Sequence, residues 1–191
     1  MAAGRPDTTI LAFHGKTPRI HDSAFIAPGC RIIGDVEIGP DASIWYNCTI
    51  RADVNRIVIG ARTNVQDHSV IHCESPTPGN PEGYLTLIGE DVLIGHLAMV
   101  HGCILEDRAF VGLGAIVMDG CRIGSDAMLG AGAMLTSGKV MEPRQLWTGR
   151  PATYLRDLPD KAIGAMRMGV AHYVENARHH ARALKDGETE S

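Results

Sequence analysis

The chain of 191 residues has no Cys-x-x-Cys pair, no run of lysine or arginine, and no apolar stretch approaching the length of a membrane span. Each absence closes a class of function. With five cysteines, an odd number, and none at ligand or redox spacing, neither a disulfide framework nor a cysteine-built zinc module is expected. A formal net charge of −4 without basic clusters excludes the electrostatic footprint of a nucleic-acid or anionic-membrane binder. The opening residues, MAAGRPDTT, carry no apolar segment of the signal-peptide kind. The expectation is a soluble, cytoplasmic protein, one domain plus tails, whose partners are small acidic or neutral molecules. At 45% hydrophobic residues the chain can bury a core.

What the sequence does have is a beat. Counting in sixes from Ile20 gives Ile26, Ile32, Ile38, Ile44 and Ile50; the count resumes at Ile59, Val65 and Ile71, then Ile88, Ile94 and Val100, then Leu105, Val111, Val117, Ile123, Leu129 and Leu135. An aliphatic residue at every sixth place over this length predicts an all-β solenoid, a left-handed parallel β-helix in which three hexads make one triangular coil. Residues about eighteen apart then stack at roughly the 4.8 Å spacing of paired strands. The same register explains Cys30, Cys48 and Cys121, each four places after a beat residue, where the inner corner wants a small side chain. Cys73 and Cys103 adjoin His72 and His101, but neighbours in a strand point to opposite faces, which argues against either as a co-ligand.

Residues 1–18 read as a loose lead-in, 19–148 as the β-helix, 149–184 as a linker and a C-terminal α-helix packed along it, and 185–191 as a flexible tail. Between residues 160 and 184, Ile163, Met166, Val170, Tyr173, Val174, Ala177, Ala181 and Leu184 recur at helical spacing, the pattern of a brace against the solenoid. The beat slips three times. Three extra residues bulge near Arg51, Ala52 and Asp53, the loop CESPTPGNPEGYLT follows His72, and one residue is missing between Val100 and Leu105. Loops ejected from a regular solenoid gather on its functional face.

Histidines flank all three slips. His14, His21, His179 and His180 read as solvated and structural. His72 and His101 each follow a beat residue, three hexads apart across the loop, so they share one face on consecutive coils and can share one metal ion. His96, two places after Ile94, belongs to the adjoining face and cannot easily reach that ion within its own chain; in a homotrimer the neighbouring subunit would supply it. Arg51 stands in the column of His72 and His101, and Asp67 in the column of His96 with Gln66 just before it. A carboxylate beside a ligand histidine orients the ring, and Asp53 could pair with an arginine of the neighbour. Three histidines with an open fourth position describe a catalytic rather than a structural zinc site.

The stretches RADVNRIVIG (51–60), NVQDHSVIH (64–72), IGHLAMVHGC (94–103) and GRPATYLRDL (149–158) resemble the γ-class carbonic anhydrases of the hexapeptide-repeat superfamily. The resemblance implies a homotrimer with interfacial Zn²⁺ or Fe²⁺ on His72, His96 and His101, hydrating CO₂ reversibly to bicarbonate by a metal-bound hydroxide. It also implies that Arg51 and Asp53 are the interface pair, Gln66 and Asp67 the active-site polar residues, and Tyr173 the helix tyrosine that approaches the metal. Two places depart from the family pattern. Val54 stands where an acid directly follows the Arg-x-Asp motif, and the loop after His72 offers only Glu74 and Glu82 as proton shuttles. The competing readings are a hexapeptide-repeat acyltransferase and a non-catalytic metal-binding trimeric scaffold.

Overall fold

From Ile32 to Leu135 every residue on the beat is at most 2% exposed, so the six-residue period marks the inside of the coil throughout. The computed structural model describes residues 7–187 and places these side chains in one column, with the aliphatic beat continuing to Met141. Around that column runs a left-handed parallel β-helix with three faces. The first carries the strands Phe25–Ile26, Ser43–Ile44, Asn64–Val65, Leu93–Ile94, Phe110–Val111 and Met128–Leu129, each paired in parallel with the next. The second carries Val70–His72, Met99–His101, Ile116–Val117 and Met134–Leu135. The third carries Thr86–Ile88, Ile104–Leu105, Arg122–Ile123 and Val140–Met141. Two long strands, Arg31–Ile38 and Thr49–Ile59, run across the second and third faces without a break.

The interruptions are local. Opposite the single residue Asp35, between the pairs Gly34↔Ala52 and Val36↔Ile57, the second long strand carries Asp53, Val54, Asn55 and Arg56. The bulge therefore lies just beyond Arg51 and Ala52, which keep their place in the ladder. The loop after His72 folds back on itself, with antiparallel bridges Glu74↔Tyr84 and Thr77↔Asn80.

The helix spans Asp160–Asp186, close to the expected range, and buries Ile163, Met166, Val170 and Ala177 against the first face. Its direction is matched by charge. Three places after successive beat residues, at the corner leading onto this face, stand Asp41, Arg62, Asp91, Arg108, Asp126 and Arg144, all in the left-handed region with φ between 54° and 65°. The signs alternate up the corner. The helix answers with Arg178 on Asp41 at 3.6 Å, Arg167 on Asp126 at 3.1 Å and Asp160 on Arg144 at 2.5 Å. Asp126 is buried and the other two pairs are exposed, where such a pair is worth about 0–1 kcal/mol, so the apolar stripe holds the helix and the ladder sets its register.

Three sequence expectations change. The lead-in is not loose over its described part: Thr9–Leu11 pairs in parallel with residues 31–33, because the edge of the first coil leaves main-chain groups that another strand can satisfy. The linker carries a strand, Ala152–Asp157, antiparallel to Gln145–Gly149. His180 is not on a solvated face, since its Nδ1 lies 2.9 Å from the Tyr46 hydroxyl and its ring 5.0 Å from that of Trp45. Of the expected tail, residues 188–191 lie outside the described residues.

Candidate metal centre

His72 and His101 are direct neighbours in the strand register, with ring centroids 4.9 Å apart and His72 Nδ1 2.9 Å from His101 Nε2. Each outer nitrogen meets a carboxylate. His72 Nε2 lies 2.9 Å from Asp53 Oδ1, while Asp53 Oδ2 takes Arg51 Nη1 of the same chain at 2.5 Å. His101 Nδ1 lies 2.5 Å from Asp119 Oδ1. Burial pushes the Asp53 carboxyl up, but His72 and Arg51 outweigh it and hold the group below the usual carboxylate range.

A count of protons shows what this arrangement is suited to. Three contacts strung between two acceptor-only carboxylates need three N–H groups, and two neutral imidazoles have two. Imidazole nitrogens facing one another with carboxylates behind them are the donor set of a borderline-soft divalent metal, and the carboxylates are what fix such rings. The residues fit a zinc or ferrous ion.

His96 makes a second, separate half. Leu93–Ile94 pairs with Asn64–Val65, which stacks His96 on Asp67, and His96 Nδ1 lies 2.8 Å from Asp67 Oδ2. Burial first, and then the Asp67 charge, push the hydroxyls of Tyr46 and Tyr173 above the ordinary phenol range. Tyr173 packs its ring 5.4 Å from Trp45. Gln66 is 4% exposed and gives its amide to Asn64 Oδ1 at 3.1 Å, so it is committed inside this half. Among the described residues only Glu74, His101 and Asp119 form a cluster of three or more His, Cys, Asp or Glu donors within 4.8 Å of one another. His96 does not join one, because the corner at Leu97, with φ 59°, turns the chain onto another face.

The structure therefore brings Arg51, Asp53, His72 and His101 together, and places Gln66, Asp67, His96 and Tyr173 on the other half. All five cysteines are free and buried, in line with the packing reading of Cys30, Cys48 and Cys121, and Cys73 and Cys103 are buried with them. Glu74 turns its carboxylate to Ser75, accepting from its N–H at 2.9 Å and its hydroxyl at 3.0 Å, and these donors hold it below the usual range. Asp119 is the residue that sequence reasoning missed. Val100 pairs with Val117, which sets Asp119 opposite Gly102 and one place away from the His101 column, so counting from the beat does not bring it to His101.

The family described as bacterial transferase hexapeptide (six repeats) matches residues 17–52. Among curated proteins, "Gamma carbonic anhydrase 2, mitochondrial" of Arabidopsis thaliana is 38% identical over 91% of this chain and 62% of its own length. "Carbonic anhydrase" of Geobacillus kaustophilus is 40% identical over 94% of each chain. The chain thus spans about three fifths of the Arabidopsis relatives and nearly all of the bacterial one. Among solved structures, a hexapeptide transferase family protein from Anaplasma phagocytophilum is 40% identical with a TM-score of 0.83, covering 90% of this chain and 97% of that one.

Proposed function

The chain belongs to the γ carbonic anhydrase family of hexapeptide-repeat proteins, and from that premise we propose that it is a trimeric metalloenzyme hydrating CO₂ at its subunit boundaries. His72 and His101 of one subunit and His96 of the next would hold Zn²⁺ or Fe²⁺. When bound, such an ion makes a water-derived nucleophile available at neutral pH. Asp53 and Asp67 hold the imidazoles of their own halves in one tautomer and orientation. Arg51, bound to Asp53 through one nitrogen and 43% exposed, keeps further N–H groups to orient the bicarbonate anion.

The single observation that carries this reading is the division of the site. Three imidazoles, each backed by a carboxylate, lie on two faces of one chain, and in this reading a neighbouring copy closes the set. The surface around them supports the same assembly. Leu97 is 68%, Leu113 52%, and Met99 and Met118 37% exposed, apolar side chains clustered by register around His96 and His101 that a second subunit would cover.

Proton release sets the expected rate. Val54 is exposed and offers no proton, and Glu74 is engaged by Ser75, so small buffer molecules carry the proton away. The test combines elemental analysis, light scattering and stopped-flow CO₂ hydration. The expected result is about one ion per chain in a trimer, with kcat rising with imidazole-type buffer while kcat/KM changes less, and with Val54→Glu reducing that buffer dependence. A metal-loaded trimer without hydration at any buffer concentration would favour the scaffold reading, and a metal-loaded monomer would remove the shared site.

A further inference from the structure

The three failures of the beat meet around His101. Asn55, in the bulge, donates its amide to the carbonyls of Glu74 at 3.2 Å and Glu82 at 2.8 Å, pinning the loop that follows His72. From that loop Tyr84 lies over two glycines of successive coils, Gly102 and Gly120; a Cβ on Gly120 would stand 3.1 Å from its ring. Gly102, directly after His101, has φ +51°, and a Cβ there would stand 2.8 Å from Tyr84 Cβ and collide with Asp119 Oδ1. The backbone around this opening is fixed, with Gly102 N–H on the His72 carbonyl at 3.2 Å, Gly120 N–H on the Gly102 carbonyl at 2.8 Å and Gly138 N–H on the Asp119 carbonyl at 2.9 Å. The chain is thus kept without a side chain at the one spot through which the next coil's carboxylate reaches His101.

The geometry points to Asp119 as the positioning residue of His101: its carboxylate, admitted by Gly102, holds the proton on Nδ1 and leaves the Nε2 lone pair facing His72, free to bind an ion. This rests on His101 being a metal ligand, as proposed above, and it makes the two imidazoles equivalent, Asp53 serving one and Asp119 the other. The loop and the bulge then have a purpose, because they hold Tyr84 against Gly102 and Gly120 beside the opening.

The experiment compares wild type, Asp119→Ala, Asp119→Asn and Gly102→Ala as intact assemblies. Zn²⁺ affinity is measured by competition with a chromophoric chelator, and the His101 tautomer by ¹⁵N NMR on the metal-free protein at alkaline pH. Asp119→Ala is expected to weaken Zn²⁺ by about 10- to 100-fold, the range seen when the hydrogen-bond partner of a ligand is removed, and to abolish the Nδ1–H preference. Asp119→Asn, whose amide oxygen still accepts that proton, should keep the tautomer and lose less affinity. Gly102→Ala should reproduce Asp119→Ala without removing the acceptor; if it does not assemble, the two Asp119 variants decide alone. An Asp119→Ala protein with affinity within about twofold of wild type and an unchanged tautomer would reduce Asp119 to a packing residue. Loss of Zn²⁺ in both Asp119 variants to the level of His101→Ala would make it a ligand. A wild type that binds no Zn²⁺ would refute the metal reading, and the tautomer measurement would then decide the role of Asp119 by itself.

Discussion

The half of the site at His96 obeys the repeat, whereas the half at His72 and His101 is built where the repeat fails. His96 meets Asp67 simply because Val65 and Ile94 are paired neighbours in adjacent coils, and both residues stand two places further on. His72 and His101 are also stacked by register, yet their carboxylates come from irregularities: Asp53 from the bulged strand, and Asp119 through the gap left by Gly102. A solenoid offers one spacing, about 4.8 Å between coils. That spacing brings two imidazoles together, but it cannot also put a carboxylate on the outer nitrogen of each. The repeat places the histidines, and departures from it place two of the three carboxylates behind them.

The largest effect expected from breaking either half is loss of the ion. His72→Ala, His96→Ala and His101→Ala should each leave the protein without tightly bound metal in elemental analysis after dialysis. Cys73→Ser should keep its metal, because Cys73 is fully buried on the opposite side of the strand; an assembled Cys73→Ser protein stripped of metal would overturn the ligand assignment. A smaller effect follows from removing one carboxylate per half. Asp53→Ala and Asp67→Ala should each weaken Zn²⁺ by about 10- to 100-fold in chelator competition, and unaltered affinity in either would show that the corresponding half holds its ring by packing alone.

The smallest effect concerns acid, and it separates the halves by charge. The Asp53 pKa is lowered on folding, from an unfolded value near 3.8, so the group stabilises the native state above that value and the contribution is lost as pH falls through the folded pKa. Thermal unfolding of metal-free protein should therefore show wild type ahead of Asp53→Asn near neutrality, with the gap closing below about pH 4. A gap that persists unchanged into strong acid would mean that the Asp53 charge contributes nothing to the fold.

Much of this was legible because a repeat converts sequence position into spatial position. The beat gave the buried column from Ile32 to Leu135, and counting from it put Arg51, His72 and His101 on one face and Asp67 and His96 on another. The same counting contains the corner from Asp41 to Arg144, whose alternating charges guide the helix, but a column of surface charges attracts no attention until a helix is known to lie along it. Asp119 escaped for a different reason. Its side chain steps across to the neighbouring column, and the only trace in the sequence is a glycine after His101. Gln66 shows the opposite failure, since its register beside Asp67 is right while its amide is turned to Asn64. Register fixes where a Cα stands, and side-chain direction depends on the neighbours it finds there.

Mixed trimers test the central claim, that one site is assembled from two chains. His96→Ala retains the two-imidazole half and His101→Ala retains the other. Any trimer containing both variants then has one boundary where an intact half meets an intact half. Unfolding an equal mixture, refolding it together and measuring bound Zn²⁺ should recover about a quarter of the wild-type metal from two variants that bind none alone, the value for random assembly around a threefold axis. Recovery of no metal, with mixed trimers present by mass spectrometry, would contradict a site shared between subunits.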